Sequence, residues 1–226
     1  MGIEVISGCV FGVWVGARHA LEPDHLAAVS ALVADRPSAR SGALLGAAWG
    51  LGHTLSLIVA GVALLGLRAE LPGSAEKGAE LLVAAMLIWL GARNLVRAVT
   101  AGRGPLLVHS HGPRVHHHHA AVANHVHLGP WPLAMQPLLI GVVHGLAGSG
   151  ALTALAMSGM PTTGSAVVFM ALFGLGSVAG MAVISGIAGA SLHRLVDGPR
   201  SQTWLTVGTG ALSLTVGLLW AGAALP

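Results

Sequence analysis

Four ionisable side chains fall within seven residues of an otherwise apolar stretch: His19-Ala20-Leu21-Glu22-Pro23-Asp24-His25. Charged and titratable groups are costly inside an apolar span and mark a pathway or a binding site when they occur there. On an unbroken helix, His19 and His25 would point about 240° apart at 100° per residue, so they could not share one small ion. Pro23 removes a backbone donor and clashes with the carbonyl of residue 19, which predicts a kink or an unwound turn. Such a break would swing Asp24 and His25 back toward His19. Imidazoles together with a carboxylate suit nickel, cobalt, zinc or iron, whereas an oxygen-only cage would suit magnesium or calcium. The bland alternative is a surface loop in which Asp24 caps the following helix and the histidines are solvated; it accounts for one of the polar residues and leaves three unexplained.

Two further histidines lie in apolar runs. His53 sits in Gly50-Leu51-Gly52-His53-Thr54-Leu55-Ser56, whose small residues would let another helix approach and set the imidazole against the first motif. His144 leads Gly145-Leu146-Ala147-Gly148-Ser149-Gly150 and is a candidate to complete the same site. Each could instead make only an interhelical hydrogen bond. Ser149 is not a nucleophile candidate, because no nucleophile-elbow pattern surrounds it. A polar segment holds His109, His111, His116 to His119, His125 and His127, a composition that binds transition metals with modest selectivity and reads as a flexible metal buffer or sensor, or else as a spacer. His193, beside Arg194, reads as solvated.

These residues have to be carried by membrane helices. Hydrophobic residues make up 54% of the 226 positions and charged residues 8%, against about a quarter charged in a soluble domain. Apolar spans are expected at about 5–33, 42–66, 78–99, 133–158, 164–190 and 202–225. The first is too long for one straight crossing, in keeping with a break at Pro23. The abundant glycines suit helices packed backbone to backbone. Cys9 is a lone cysteine in an apolar run, so it reads as a packing residue and forms no intrachain disulfide. The first apolar run continues into the His-containing motif rather than a cleavage site, so no secretory signal is expected. The basic residues are few and sit in short loops, which argues against nucleic acid and for a record of orientation. With six crossings, Arg36, Arg40, Arg93, Arg97, Arg103, Arg114, Arg194 and Arg200 fall on one side and Arg68 and Lys77 on the other. The arginine-rich side is then cytoplasmic, and both termini lie outside.

The two halves echo each other. Gly16-Ala17-Arg18-His19-Ala20-Leu21 answers Gly141-Val142-Val143-His144-Gly145-Leu146, and Trp49-Gly50-Leu51-Gly52 answers Phe173-Gly174-Leu175-Gly176 at nearly the same offset. A duplicated three-helix unit inserts its copies in opposite orientations. The expected fold is therefore all-α and integral to the membrane, with about six transmembrane helices in a three-plus-three inverted repeat and a kinked first helix. Residues 1–100 form the first repeat, 101–132 a His-rich cytoplasmic loop and 133–226 the second repeat.

The segment from His19 to His25 resembles the H-x-x-x-x-D-H signature of the nickel/cobalt transporter family, and Leu51-Gly52-His53-Thr54 and the His-rich central segment are similar to features of that family and its relatives. The resemblance covers the first two spans well and the rest by architecture. It implies metal recognition and transport by His19, Asp24 and His25, with His53 in support. The longer permeases carry further helices and an acidic motif where this chain has His144 to Gly150, so the chain is closer to the short, urease-accessory-like membrane branch.

The leading expectation is a secondary transporter at the cell (inner) membrane that binds Ni²⁺ or Co²⁺ as its transported substrate through His19, Asp24, His25, His53 and His144. It has no prosthetic group and no enzymatic activity. No Walker-type phosphate loop occurs, so ATP is not hydrolysed by this chain. Its partners would be the metal ion, the lipid bilayer and metal-enzyme maturation proteins. A membrane protein that senses metal or delivers it to such partners is the alternative. An intramembrane metalloenzyme is less well supported, since neither an H-E-x-x-H motif nor the spaced histidine boxes of a membrane oxygenase are present.

Overall fold

The inward and outward faces of the longest apolar runs differ in a way that only a lipid surround explains. In the computed structural model, which describes residues 3–34, 37–67, 71–100, 106–111, 114–119, 132–196 and 198–225, the second apolar run is the helix Ala39–Leu67. Its buried residues are Gly42, Gly46, Trp49, Gly50, Gly52, His53, Ser56, Leu57 and Gly61. Leu44, Leu51, Leu55 and Val59 are exposed. Apart from Trp49 and Leu57, small and polar groups point inward and large aliphatic groups outward, the reverse of a soluble helix.

The described residues form seven helices: α1 (Ile3–His19), α2 (Pro23–Val33), α3 (Ala39–Leu67), α4 (Gly73–Thr100), α5 (Pro132–Gly159), α6 (Thr163–Leu195) and α7 (Pro199–Ala224). Four stretches, Ala39–Leu67, Gly73–Thr100, Thr163–Leu195 and Arg200–Ala224, are long and apolar enough to cross a membrane, and Met135–Gly148 within α5 is a shorter apolar stretch. The first expected span is two helices. Helical hydrogen bonding stops at His19 and resumes from Pro23, which occupies the first turn of α2, where a missing N–H costs nothing. The expected break is present, and Pro23 begins a helix rather than bending one.

α2 is short and largely buried apart from Pro23 and Leu26, with Ala27, Ala28, Val29, Ala31, Leu32 and Val33 in one core with Trp49, Val83, Leu87, Leu90 and Met181. A helix end held away from water needs partners for its last carbonyls. Neighbouring helices supply them: Asn94 Nδ2 donates to the Ala31 carbonyl at 2.9 Å, and Gln202 Nε2 donates to the Ala34 carbonyl at 2.7 Å.

α3 packs on α5 and α6, α1 on α6, α4 on α7, α2 on α7 and α4 on α5. Glycines bring these backbones close. A Cβ at Gly16 of α1 would collide with the Phe173 carbonyl of α6, and one at Gly141 of α5 with the Trp49 carbonyl of α3. Likewise Gly176 lies against the Val13 carbonyl and Gly52 against the Leu138 carbonyl.

The His-rich segment differs from the expected loop. Its described residues pair as an antiparallel two-stranded ribbon, β1 (Leu106–His111) with β2 (Arg114–His119), in which His109 stands opposite His116 and Val108 opposite His117. The strands flank Gly112-Pro113, a dipeptide of the kind that punctuates strands. His125 and His127, like Arg36, Arg68 and Arg103, lie outside the described residues.

Candidate metal centre

The break between α1 and α2 folds the first motif back on itself. The rings of His19, at the end of α1, and His25, in the first turn of α2, have centroids 4.4 Å apart. The side chains that diverge on a continuous helix therefore meet. His53, the central residue of α3, joins them: its Nε2 is 3.2 Å from His19 Nε2, and its ring centroid is 5.3 Å from that of His25. From α5, His144 brings its ring to 4.2 Å from that of His25 and its Nε2 to 2.8 Å from Asp24 Oδ2. All five sequence candidates are thus gathered in one group, drawn from four helices.

Asp24 is the hinge of the polar contacts. One oxygen faces His25 Nδ1 at 3.2 Å and the other His144 Nε2. The cap of α2 is Glu22, which makes no side-chain cap hydrogen bond, and Asp24 is buried. The surface-loop alternative, with Asp24 as a cap and exposed histidines, does not match this geometry. His25 and His53 are each 1% exposed and His144 3%. Carboxylate oxygens can only accept when ionised, so the N–H groups belong to His25 Nδ1 and His144 Nε2. That leaves His25 Nε2 as a buried lone pair with no hydrogen-bond partner, an arrangement that costs free energy unless a cation or donor meets it.

Three residues around the group were not singled out for this role by the sequence. Glu22 is half exposed and accepts from His19 Nδ1 at 2.9 Å, the carboxylate–imidazole pairing that fixes which ring nitrogen is free to bind a metal. Trp49 packs its ring 5.3 Å from that of His25 and 5.6 Å from that of His144, and Phe173 lies 5.5 Å from His19. Both aromatics are themselves buried. Both stood out in the sequence as landmarks of the repeat, and that signal pointed to them without giving their task.

Among the described residues, two sets of three have ligand atoms all within 4.8 Å of one another: His19, His25 and His53, and Asp24, His25 and His144. Histidine nitrogens bind a divalent transition metal at about 2.0–2.1 Å, which sets neighbouring donors about 3.4 Å apart in a tetrahedral site. The 3.2 Å pairs His19–His53 and Asp24–His25 already have that spacing.

Fold and site together define a class: a multi-pass helical membrane protein whose core carries side chains able to hold a metal ion. Within that class the chain is similar to the urease accessory protein UreH of Bacillus sp. (strain TB-90), with 29% identity over 188 residues, 83% of this chain and 78% of the relative. This agrees with the resemblance to the urease-accessory-like branch read from the motifs. No family model matches the chain, and no solved structure does.

Proposed function

We propose that this chain is a secondary transporter of a divalent transition metal, nickel or cobalt, which it binds as substrate with His19, Asp24, His25, His53 and His144. The observation that carries the reading is the convergence of these five side chains, from four helices, in a buried group inside a bundle with an aliphatic exterior. Buried imidazoles and one carboxylate select transition metals over magnesium or calcium. The relative's name, which links it to urease, favours nickel.

The movement we infer is a rocking of two inverted three-helix repeats about the site. Helix packing supports it. Exchanging α1–α2 with α5, α3 with α6 and α4 with α7 leaves the α3–α6 and α4–α7 pairs in place and turns α1 on α6 into α5 on α3, and α2 on α7 into α5 on α4. The glycine contacts follow the same exchange, Gly16 on Phe173 answering Gly141 on Trp49, and Gly176 on Val13 answering Gly52 on Leu138. We further propose that the arginine-rich end faces the cytoplasm of a cell (inner) membrane. In support, Gln202 meets Ala34 and Gly189 meets Ser38, which gathers the segments bearing Arg40, Arg194 and Arg200.

The test is uptake of radioactive nickel and cobalt into liposomes holding the purified protein. Saturable flux in the wild type and loss of at least tenfold in His25→Ala, with the variant still folded, is the expected result. No flux of either metal under imposed pH and voltage gradients would defeat the transport reading. A second reading, metal delivery to a maturation partner, is favoured by the accessory role in the relative's name. Replacing residues 109–127 by a short linker separates the two: a transporter keeps its intrinsic flux, and a delivery protein loses its function.

A further inference from the structure

The five side chains do not form one ring of donors around a point. The two sets of three share His25 and no other residue. One set opens outward, since the His19 side chain is 17% exposed and its partner Glu22 53%. The other is sealed, with Asp24, His25 and His144 all buried. A neutral imidazole carries one lone pair, so His25 can serve one set at a time.

We propose that the ion occupies two subsites in turn, an outer one of His19, His25 and His53 and an inner one of Asp24, His25 and His144, with His25 handing it from one to the other. This rests on the transport reading and deepens it. In the state described, Asp24 accepts from both His25 Nδ1 and His144 Nε2. The inner set is therefore closed by hydrogen bonds, and the His25 Nε2 lone pair, which has no partner, is left for the outer set. His19 is prepared in part, because Glu22 accepts its Nδ1 proton and leaves an Nε2 lone pair that accepts from His53 Nε2, a single hydrogen bond to displace in the outer set against two in the inner. The outer subsite fills first. Passage to the inner one requires His25 to carry its proton on Nε2 instead of Nδ1, and His144 on Nδ1 instead of Nε2. Each ring gives one proton to water and takes one back, so ring charge is unchanged, while Asp24 exchanges two hydrogen bonds for the cation. Ligation shifts from three nitrogens to two nitrogens and an oxygen, which suits a binding step that must also release.

The test uses full-length protein in which the histidines of residues 109–127 are replaced by serine, so that only the bundle reports, and Co²⁺ as the probe, since its visible absorption distinguishes nitrogen from oxygen ligands. The expected results are one Co²⁺ per chain and retained binding in both His53→Gln and His144→Gln, with two different spectra, the first showing the weaker ligand field of a site that has exchanged a nitrogen for a carboxylate oxygen. The double variant should not bind, and each single variant should lose at least tenfold in liposome flux. His53→Asn and His144→Asn serve where a glutamine variant does not elute as folded protein. The proposal is overturned if either single variant abolishes binding as fully as His25→Ala, which would mean one undivided site, or if either carries flux at the wild-type rate. It is also overturned if two ions bind together. Wild-type protein that binds Co²⁺ but moves none would defeat the transport reading alone, leaving the two binding subsites to be judged by the variants.

Discussion

Glu22 is the residue whose environment says most about how the histidines are prepared. Its carboxylate accepts from His19 Nδ1 while remaining half exposed, so its contact in this structure is with the ring. Partners of this kind change metal affinity by about 10–100-fold when removed. Glu22→Ala should therefore weaken Co²⁺ binding by about tenfold or more, and Glu22→Gln by less, since its carbonyl oxygen still accepts; a competition titration measures both. If the alanine variant bound as tightly as wild type, Glu22 would have no part in orienting His19. Protons compete for the same nitrogens. A histidine ligand must be neutral, so equilibrium metal binding should weaken once the medium is acid enough to protonate the ligating imidazoles. Binding that stayed constant down to the acid limit of the folded protein would argue against imidazole ligation.

At the level of the helices, the site depends on backbones being close enough for short side chains to meet. The α3–α5 contact that joins His53 to the His144 side of the group runs through Gly52, against the Leu138 carbonyl, and Gly145, against Ser56 and the His53 carbonyl. Gly52→Val should force the helices apart at a cost of about 1–3 kcal/mol, read as a lower melting temperature in detergent together with weaker metal binding. Gly66→Val, near the end of the same helix, has nothing within 4 Å of its added Cβ and serves as the control, expected to leave metal binding unchanged. Equal loss in both variants would show that helix propensity, not the seam, governs the effect. The clasp on α2 is testable in the same way. Asn94→Leu leaves the Ala31 carbonyl without its donor inside the bundle, and a loss of about 1–3 kcal/mol with loosening of α2 is expected in hydrogen exchange.

Across the whole molecule, composition and the spacing of apolar runs were enough to specify a membrane-embedded helical protein, because a chain with 8% charged residues cannot build a wetted surface. They also drew attention to His19, Asp24, His25, His53 and His144, which the structure brings together, because ionisable groups stand out against an apolar background. The break near Pro23 was legible as well, since proline chemistry is local. The roles inside the group were not legible. That Asp24 also meets His144 and that Trp49 and Phe173 pack against the cluster depend on contacts between residues far apart in the chain, which no local pattern encodes, while Glu22 meets His19 across the turn that separates α1 from α2. The His-rich segment was read as a loop from its composition, yet its described residues pair as two strands, a choice made by cross-strand register rather than by residue type. The sequence alone determined which side chains were too polar for their surroundings. Only the tertiary structure decided which of them face one another, because that depends on how the two ends of a broken helix and two glycine-lined neighbours close on one another.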